Sequence, residues 1–226
     1  MVIERLSDAD HNRVSAAVSA AESHTAGEIV TVVAERSDGY SDIAFAWTAG
    51  VAFTALLALA LLPDFYLGWT DRVLGNWAHD WTPREVFVLA LVVAVLKFLG
   101  TWLIQLWQPL KFFLIPGAIK THRTLARAVD LFKVGAERRT HGRTGILIYL
   151  SIRERRAQIV ADEAIASKVP AETWGEAMAA LLIEVKQGRL ADGMCAAVEK
   201  VGVVLAAHFP RAEDDVNELP DRLIEL

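Results

Sequence analysis

The stretch EIVTVVAERSDGYSDIAFAWTAG, residues 28–50, changes character half-way along. Ile29 to Val33 is a short apolar run rich in β-branched residues, the pattern of a strand buried on both faces of a parallel sheet. After nine intervening residues, at Ile43, an uncharged run begins that ends only at Leu62. A strand of that kind needs a partner, and the comparable run is Ile146 to Leu150, far along the chain. The simplest solution is an α/β domain in two parts. Its first strand, a crossover helix over about 119–138 and its second strand form a right-handed βαβ unit, with an apolar hairpin inserted into the crossover. Insertions that leave and re-enter at nearby points are tolerated by a core.

The composition agrees with such an insertion. Hydrophobic residues make up 54% of the chain, the mean hydropathy is +0.32, and there are seven tryptophans in 226 residues. Ile43 to Leu62 carries no charge, and Val86 to Trp107 carries only Lys97. Each is long enough to cross roughly 30 Å of hydrocarbon as a helix. Residues 1–30 lack the apolar core of a secretory signal, so the amino terminus is expected to stay in the cytoplasm. The loop 63–85 holds Arg72 and Arg84 against Asp64, Asp71, Asp80 and Glu85, whereas residues 108–156 hold eleven Lys/Arg against three acids. The positive-inside rule then predicts a multi-pass membrane protein with the loop outside and both termini cytoplasmic. Tryptophans at 47, 69, 77, 81, 102 and 107 fall near the expected boundaries, and Pro63 and Pro83 punctuate the loop. The one cysteine, Cys195, offers no disulfide framework.

The predicted organisation is thus a first part of the α/β domain at 1–42, a two-helix transmembrane hairpin at 43–109, a second part at 110–209 and an acidic, loosely held tail at 210–226. In the first part Ser7 caps a helix with Asp10 three residues on, and Val14, Ala17, Val18 and Ala21 recur at helical spacing. In the second, Leu125, Ala128, Val129, Phe132 and Ala136 line one face of the crossover helix. GRTGILIYLS supplies the second strand, IRERR a turn, and AQIVAD an antiparallel third strand. Trp174, Ala177, Met178, Leu181, Leu182 and Val185 form one helical stripe, and Met194, Ala197, Val198, Val201 and Leu205 another, with Gly188 between them as a helix stop.

LSDADHNRVSAAVSAAESHTAGEIVTVVAERSDGY, followed by RTGILIYLSIRERRAQIVADEAI, the Thr173-Trp174 helix and GRLADGMCAAVEKVGVVLAAHFP, resembles the TPM domain family, particularly its branch of bacterial membrane proteins. The most specific parts are the Thr-Gly-apolar strand at 144–150, Ser151 and Glu154 in the turn, and Ile159 to Asp162. The resemblance implies a small three-layer α/β/α sandwich, here split by the transmembrane hairpin. It also implies acid phosphatase activity and divalent-metal binding as candidate properties, both associated with some members. Metal-binding relatives commonly carry an acidic residue before the glycine of the second strand, where this chain has Arg143-Thr144-Gly145.

Among the residues themselves, SDGYSD lies at the carboxyl end of the first strand, where open parallel sheets bind ligands. Asp38 and Asp42 there offer oxygen to a hard cation, Ca2+ or Mg2+, or else simply form a turn. Asp162 is a third candidate ligand, or the cap of the next helix, and an antiparallel third strand places it at the opposite end of the sheet from Asp38. No base stands beside Ser151 in sequence, and the six histidines show no metal-ligand spacing. Lys97, in mid-span, either meets a partner or snorkels. The basic stretch including Arg123, Arg127, Arg138 and Arg139 suits anionic lipid headgroups. Nucleic acid is a poor partner: residues 1–42 carry eight acids against three bases and 157–226 thirteen against six. The reading is a membrane-tethered protein-interaction or quality-control module, partnered by the bilayer and an unknown membrane or cytoplasmic protein, or by further copies of itself. The alternative is a metal-dependent acid phosphatase-like hydrolase.

Overall fold

The computed structural model describes residues 6–75, 80–135, 144–211 and 219–226. It forms two compact units, Met1–Asp38 with Gly117–Leu226, and Gly39–Pro116.

In the first unit Ser7 opens α1 (Asp8–Glu22) with the predicted reciprocal cap: its Oγ accepts from the Asp10 amide at 3.2 Å, and its own amide donates to Asp10 Oδ2 at 3.2 Å. β1 (Glu28–Ala34) pairs in parallel with β2 (Gly145–Ser151), Glu28 opposite Gly145 and Ala34 opposite Ser151, and β2 pairs antiparallel with β3 (Arg156–Ala161). The α/β assignment therefore holds. Period-two alternation divides the core into two layers. Ile29, Val33, Ile146, Ile148 and Leu150 face α1, α8 (Gly175–Lys186) and α9 (Leu190–His208), where Val14, Val18, Leu181, Met194, Ala197, Val198, Val201 and Leu205 are fully buried. Val32, Ala34, Leu147 and Tyr149 face α6 (Gly117–Gly135). A short α7 (Glu163–Ala166) and a single 3-10 turn (Ala171–Trp174) lead from β3 to α8, and Gly188, at φ 83°, lies between α8 and α9. At Gly202 a Cβ would stand 2.7 Å from that of Ala21, so α1 and α9 come together across a glycine.

Two expectations are corrected in this unit. The buried line of α6 is Thr124, Ala128 and Phe132, with Leu131 partly buried, while Leu125 is exposed. A threonine occupies the seam because its hydroxyl is satisfied there, donating to the Lys120 carbonyl at 2.7 Å. Ala136 and the predicted end of the helix lie outside the described residues. The end of the chain is also not a loose tail. β4 (Ile224–Glu225) pairs in parallel with β1, giving the order β3-β2-β1-β4, and Leu219 and Leu223 are buried. The acidic composition of 210–226 conceals three leucines and an isoleucine in its last eight residues, enough to anchor one strand; residues 212–218 lie outside the described residues.

The second unit contains α2 (Ser41–Leu61), α3 (Pro63–Leu74), α4 (Pro83–Ile104) and α5 (Gln108–Leu114). α2 and α4 are long and apolar enough to cross a membrane. They pack through small residues of α2, with Ala44, Thr48 and Ala52 buried, an edge-on contact of Phe45 with Phe98 and a hydrogen bond from Gln105 Nε2 to the Ala44 carbonyl at 3.1 Å. The loop expected at 63–85 begins with a helix. Pro63 and Pro83 are both first residues of helices, where the missing N–H costs nothing, and Thr82 forms a reciprocal cap with Glu85. Trp77 lies outside the described residues. The unit is also wider than the expected 43–109: Tyr40, at φ 51°, packs edge-on against Phe112, Lys111 Nζ donates to the Gly39 carbonyl at 2.5 Å, and the Trp47 indole donates to the Leu114 carbonyl at 3.2 Å.

Candidate functional site

At the carboxyl ends of β1 and β2 the chain builds a buried polar cluster. The Glu154 carboxylate, 3% exposed, lies beneath the turn that follows β2. It accepts from the Ser37 amide at 2.8 Å and from the Ser151 hydroxyl at 2.5 Å. The Ser37 hydroxyl in turn lies 3.0 Å from the Tyr149 hydroxyl and 3.4 Å from that of Thr124. Burial pushes the Tyr149 hydroxyl pKa up, against hydrogen bonds from Ser37 and Ser151. Ser151 thus has a carboxylate beside it after all, three residues on. Both groups are enclosed, so the pair serves to hold the turn.

Cations surround this end of the first unit. Arg123 donates to Asp38 Oδ2 at 2.7 Å, and Arg153 holds Glu35 through Nε at 2.9 Å. Burial, and next the charge of Arg156, push the Lys120 pKa down. Asp38 is therefore the partner of Arg123, and Asp42 sits in the first turn of α2, in the other unit. Arg127 stands one turn beyond Arg123 on α6, and Arg138 and Arg139 lie outside the described residues.

Asp162 lies at the opposite end of the sheet, as antiparallel pairing requires. It occupies the cap position of α7, but its side chain makes no cap hydrogen bond there. It reaches instead to the Gly145 amide at 3.0 Å, while its own amide donates to the Gly145 carbonyl at 2.9 Å. β2 is clamped at its first residue. Glu22 holds β1 at its second residue, accepting from the Ile29 amide at 2.7 Å, and Glu28 accepts from the Leu219 amide at 3.3 Å. Burial raises the Glu22 carboxyl pKa to about 8, aided by the charges of Glu28 and Asp221. Neither glutamate is legible as special in sequence, because each partner amide is recognisable only once the strands are placed. Among the described residues, no group of three or more His, Cys, Asp or Glu side chains is arranged to hold a metal ion.

The family model for the TPM domain matches residues 118–204, from α6 into α9. The chain carries a TPM domain. Residues that precede the matched stretch, α1 and β1, complete the sheet and core of the unit to which the TPM domain belongs. The chain is similar in fold to a solved structure, the NMR structure of the BA42 protein from the psychrophilic bacterium Bizionia argentinensis. The identity is 18% over 100% of this chain and 99% of that one, with a TM-score of 0.56. No curated protein matches the chain.

Proposed function

We propose that this is a two-span inner-membrane protein that presents its TPM domain on the cytoplasmic side as a tethered interaction or quality-control module. One observation carries the membrane reading: the most apolar windows of α2 and α4 are only 22% and 0% buried, whereas the core helices of a soluble protein would be covered. The excess of Lys/Arg in residues 108–156 over the loop 63–85 supports the orientation. In a Cys195→Ser background, a membrane-impermeant maleimide is expected to label Asp80→Cys in intact cells and Arg211→Cys only after lysis. The reverse order would overturn the topology.

The interaction reading is supported by what the carboxylates already do. Asp38 neutralises Arg123, Asp162 and Glu22 clamp strand amides, and Glu154 holds a turn. The rim of Lys120, Arg123 and Arg127, in the basic stretch that follows the second span in the chain, suits anionic lipid or an acidic segment of a partner protein. Calcium and magnesium titration of the full chain by calorimetry, with phosphate-ester hydrolysis assayed on the same samples, is expected to give neither saturable heat nor turnover. Saturable binding lost in Asp38→Asn or Asp162→Asn, accompanied by turnover, would establish the hydrolase instead.

A further inference from the structure

The second unit contains a cavity of about 580 Å³ between α2, α3 and α4, within the size range of small-molecule sites. Its walls are almost wholly apolar, with Trp47, Val51, Leu59, Tyr66 and Trp69 prominent, and the one charged group that lines it is Lys97. The threonine hydroxyls at its edge are occupied as donors within their own helices, Thr54 to the Gly50 carbonyl at 2.7 Å and Thr70 to the Tyr66 carbonyl at 2.8 Å. Lys97 makes no hydrogen bond or ion pair among the described residues. On the membrane reading above, on which this inference rests, an ammonium in mid-span without a counter-charge is strongly unfavourable. Neither Ile43–Leu62 nor Val86–Trp107 contains an Asp or Glu that could supply one from within the spans.

We infer that this cavity binds a long-chain fatty acid drawn from the bilayer, with its carboxylate on Lys97 and its chain along the aromatic wall. A single ammonium balances the single charge of a carboxylate, and a fatty acid brings that charge into an almost wholly apolar cavity without the polar headgroup that a phospholipid, its diester phosphate also singly charged, would carry in with it. From Trp47 to Leu59 the lining extends over twelve residues of α2, roughly 18 Å of helix rise, which suits one extended aliphatic chain. Trp47 and Trp69 lie in the wall and report on occupancy.

The test uses the full chain in nanodiscs of zwitterionic lipid, with tryptophan quenching by brominated palmitate and, as a neutral control, brominated hexadecanol. Saturable quenching by the carboxylate is expected. In Lys97→Met its affinity falls roughly tenfold or more, the worth of a charge-assisted hydrogen bond, while quenching by the alcohol is unchanged and Lys97→Arg restores the preference. Ala55→Trp, which fills the cavity and keeps Lys97, abolishes the saturable component. Equal quenching by acid and alcohol, or a Lys97→Met variant that binds the acid normally, would overturn the proposal. So would self-association removed by Lys97→Met without any effect of fatty acid. Failure of the purified chain to insert into nanodiscs, with solubility in plain buffer, would instead sink the membrane reading and this inference with it.

Discussion

Glu154→Ala is expected to destabilise the α/β unit by about 3 kcal/mol. The side chain is 3% exposed, and its two oxygens accept from the Ser37 amide and the Ser151 hydroxyl. Truncation leaves the buried Ser151 hydroxyl and the half-buried Ser37 amide without this acceptor, adds a cavity, and disconnects the Ser37 segment from the β2–β3 turn. Because Ser37 also contacts Tyr149 and Thr124, the loss spreads to α6. Glu154→Gln should cost only about 1 kcal/mol: its amide oxygen can still accept from Ser37, and the Ser151 hydroxyl can rotate to accept from its NH2 group. Hydrogen exchange of β1 and β2 amides in the full chain should show protection reduced by roughly two orders of magnitude for the alanine variant. An alanine variant with wild-type protection would show that the cluster contributes nothing to stability.

The second large effect is on pH dependence. In the folded unit the Glu22 carboxyl is raised from 4.5 to about 8, chiefly by burial and then by the negative charges of Glu28 and Asp221. Between those values the folded chain retains a proton that the unfolded chain has released. Its contribution is therefore fully present below about pH 4.5 and is lost as pH rises to about 8, a fall on the order of 3–5 kcal/mol. Above that the contribution is level. Glu22→Gln should abolish this slope and leave the variant more stable than the wild type at pH 8.5, since its amide oxygen can still accept from Ile29. The first structure lost at high pH should be β4, because Asp221 precedes it and Leu219 is anchored on Glu28. Urea midpoints and β1 exchange protection at pH 5.5 and 8.5 test this; a glutamine variant that declines in parallel with the wild type would refute the assignment. At the acid end, hydrogen bonding from Ser7 holds Asp10 below its ordinary pKa and Arg153 does the same for Glu35, but both carboxylates face solvent and contribute little.

These two predictions concern residues that local pattern does not distinguish. Val14, Val18 and the five predicted stripe positions of α9 were legible because burial of one helix face imposes a period of 3.6 on the chain itself, and β2 because burial on both faces makes a short, nearly continuous apolar run. Ser7 with Asp10 was legible for a similar reason, since a helix cap spans only three residues. Glu154 and Ser37, by contrast, are 117 residues apart, and Glu28 and Leu219 are 191 apart. Nothing in the neighbourhood of either residue records the other.

The same contrast separates the candidate sites. Asp38, Asp42 and Asp162 stand out in sequence as acids beside glycine or at strand ends, yet chain position alone does not say which oxygens are already engaged. The folded unit gives Asp38 to Arg123 and Asp162 to the Gly145 amide. Lys97 was conspicuous as one charge in an apolar run; its place in the wall of a cavity required α3 to fold, and α3 was hidden behind a proline read as a break. Element type, the two apolar helices and the parallel pairing of β1 with β2 follow from composition and periodicity, because hydrophobic burial acts through repeating local contacts. The fourth strand, the raised Glu22 pKa and the partner of each buried carboxylate were decided only in three dimensions, because hydrogen bonds and desolvation depend on distances that sequence separation does not encode.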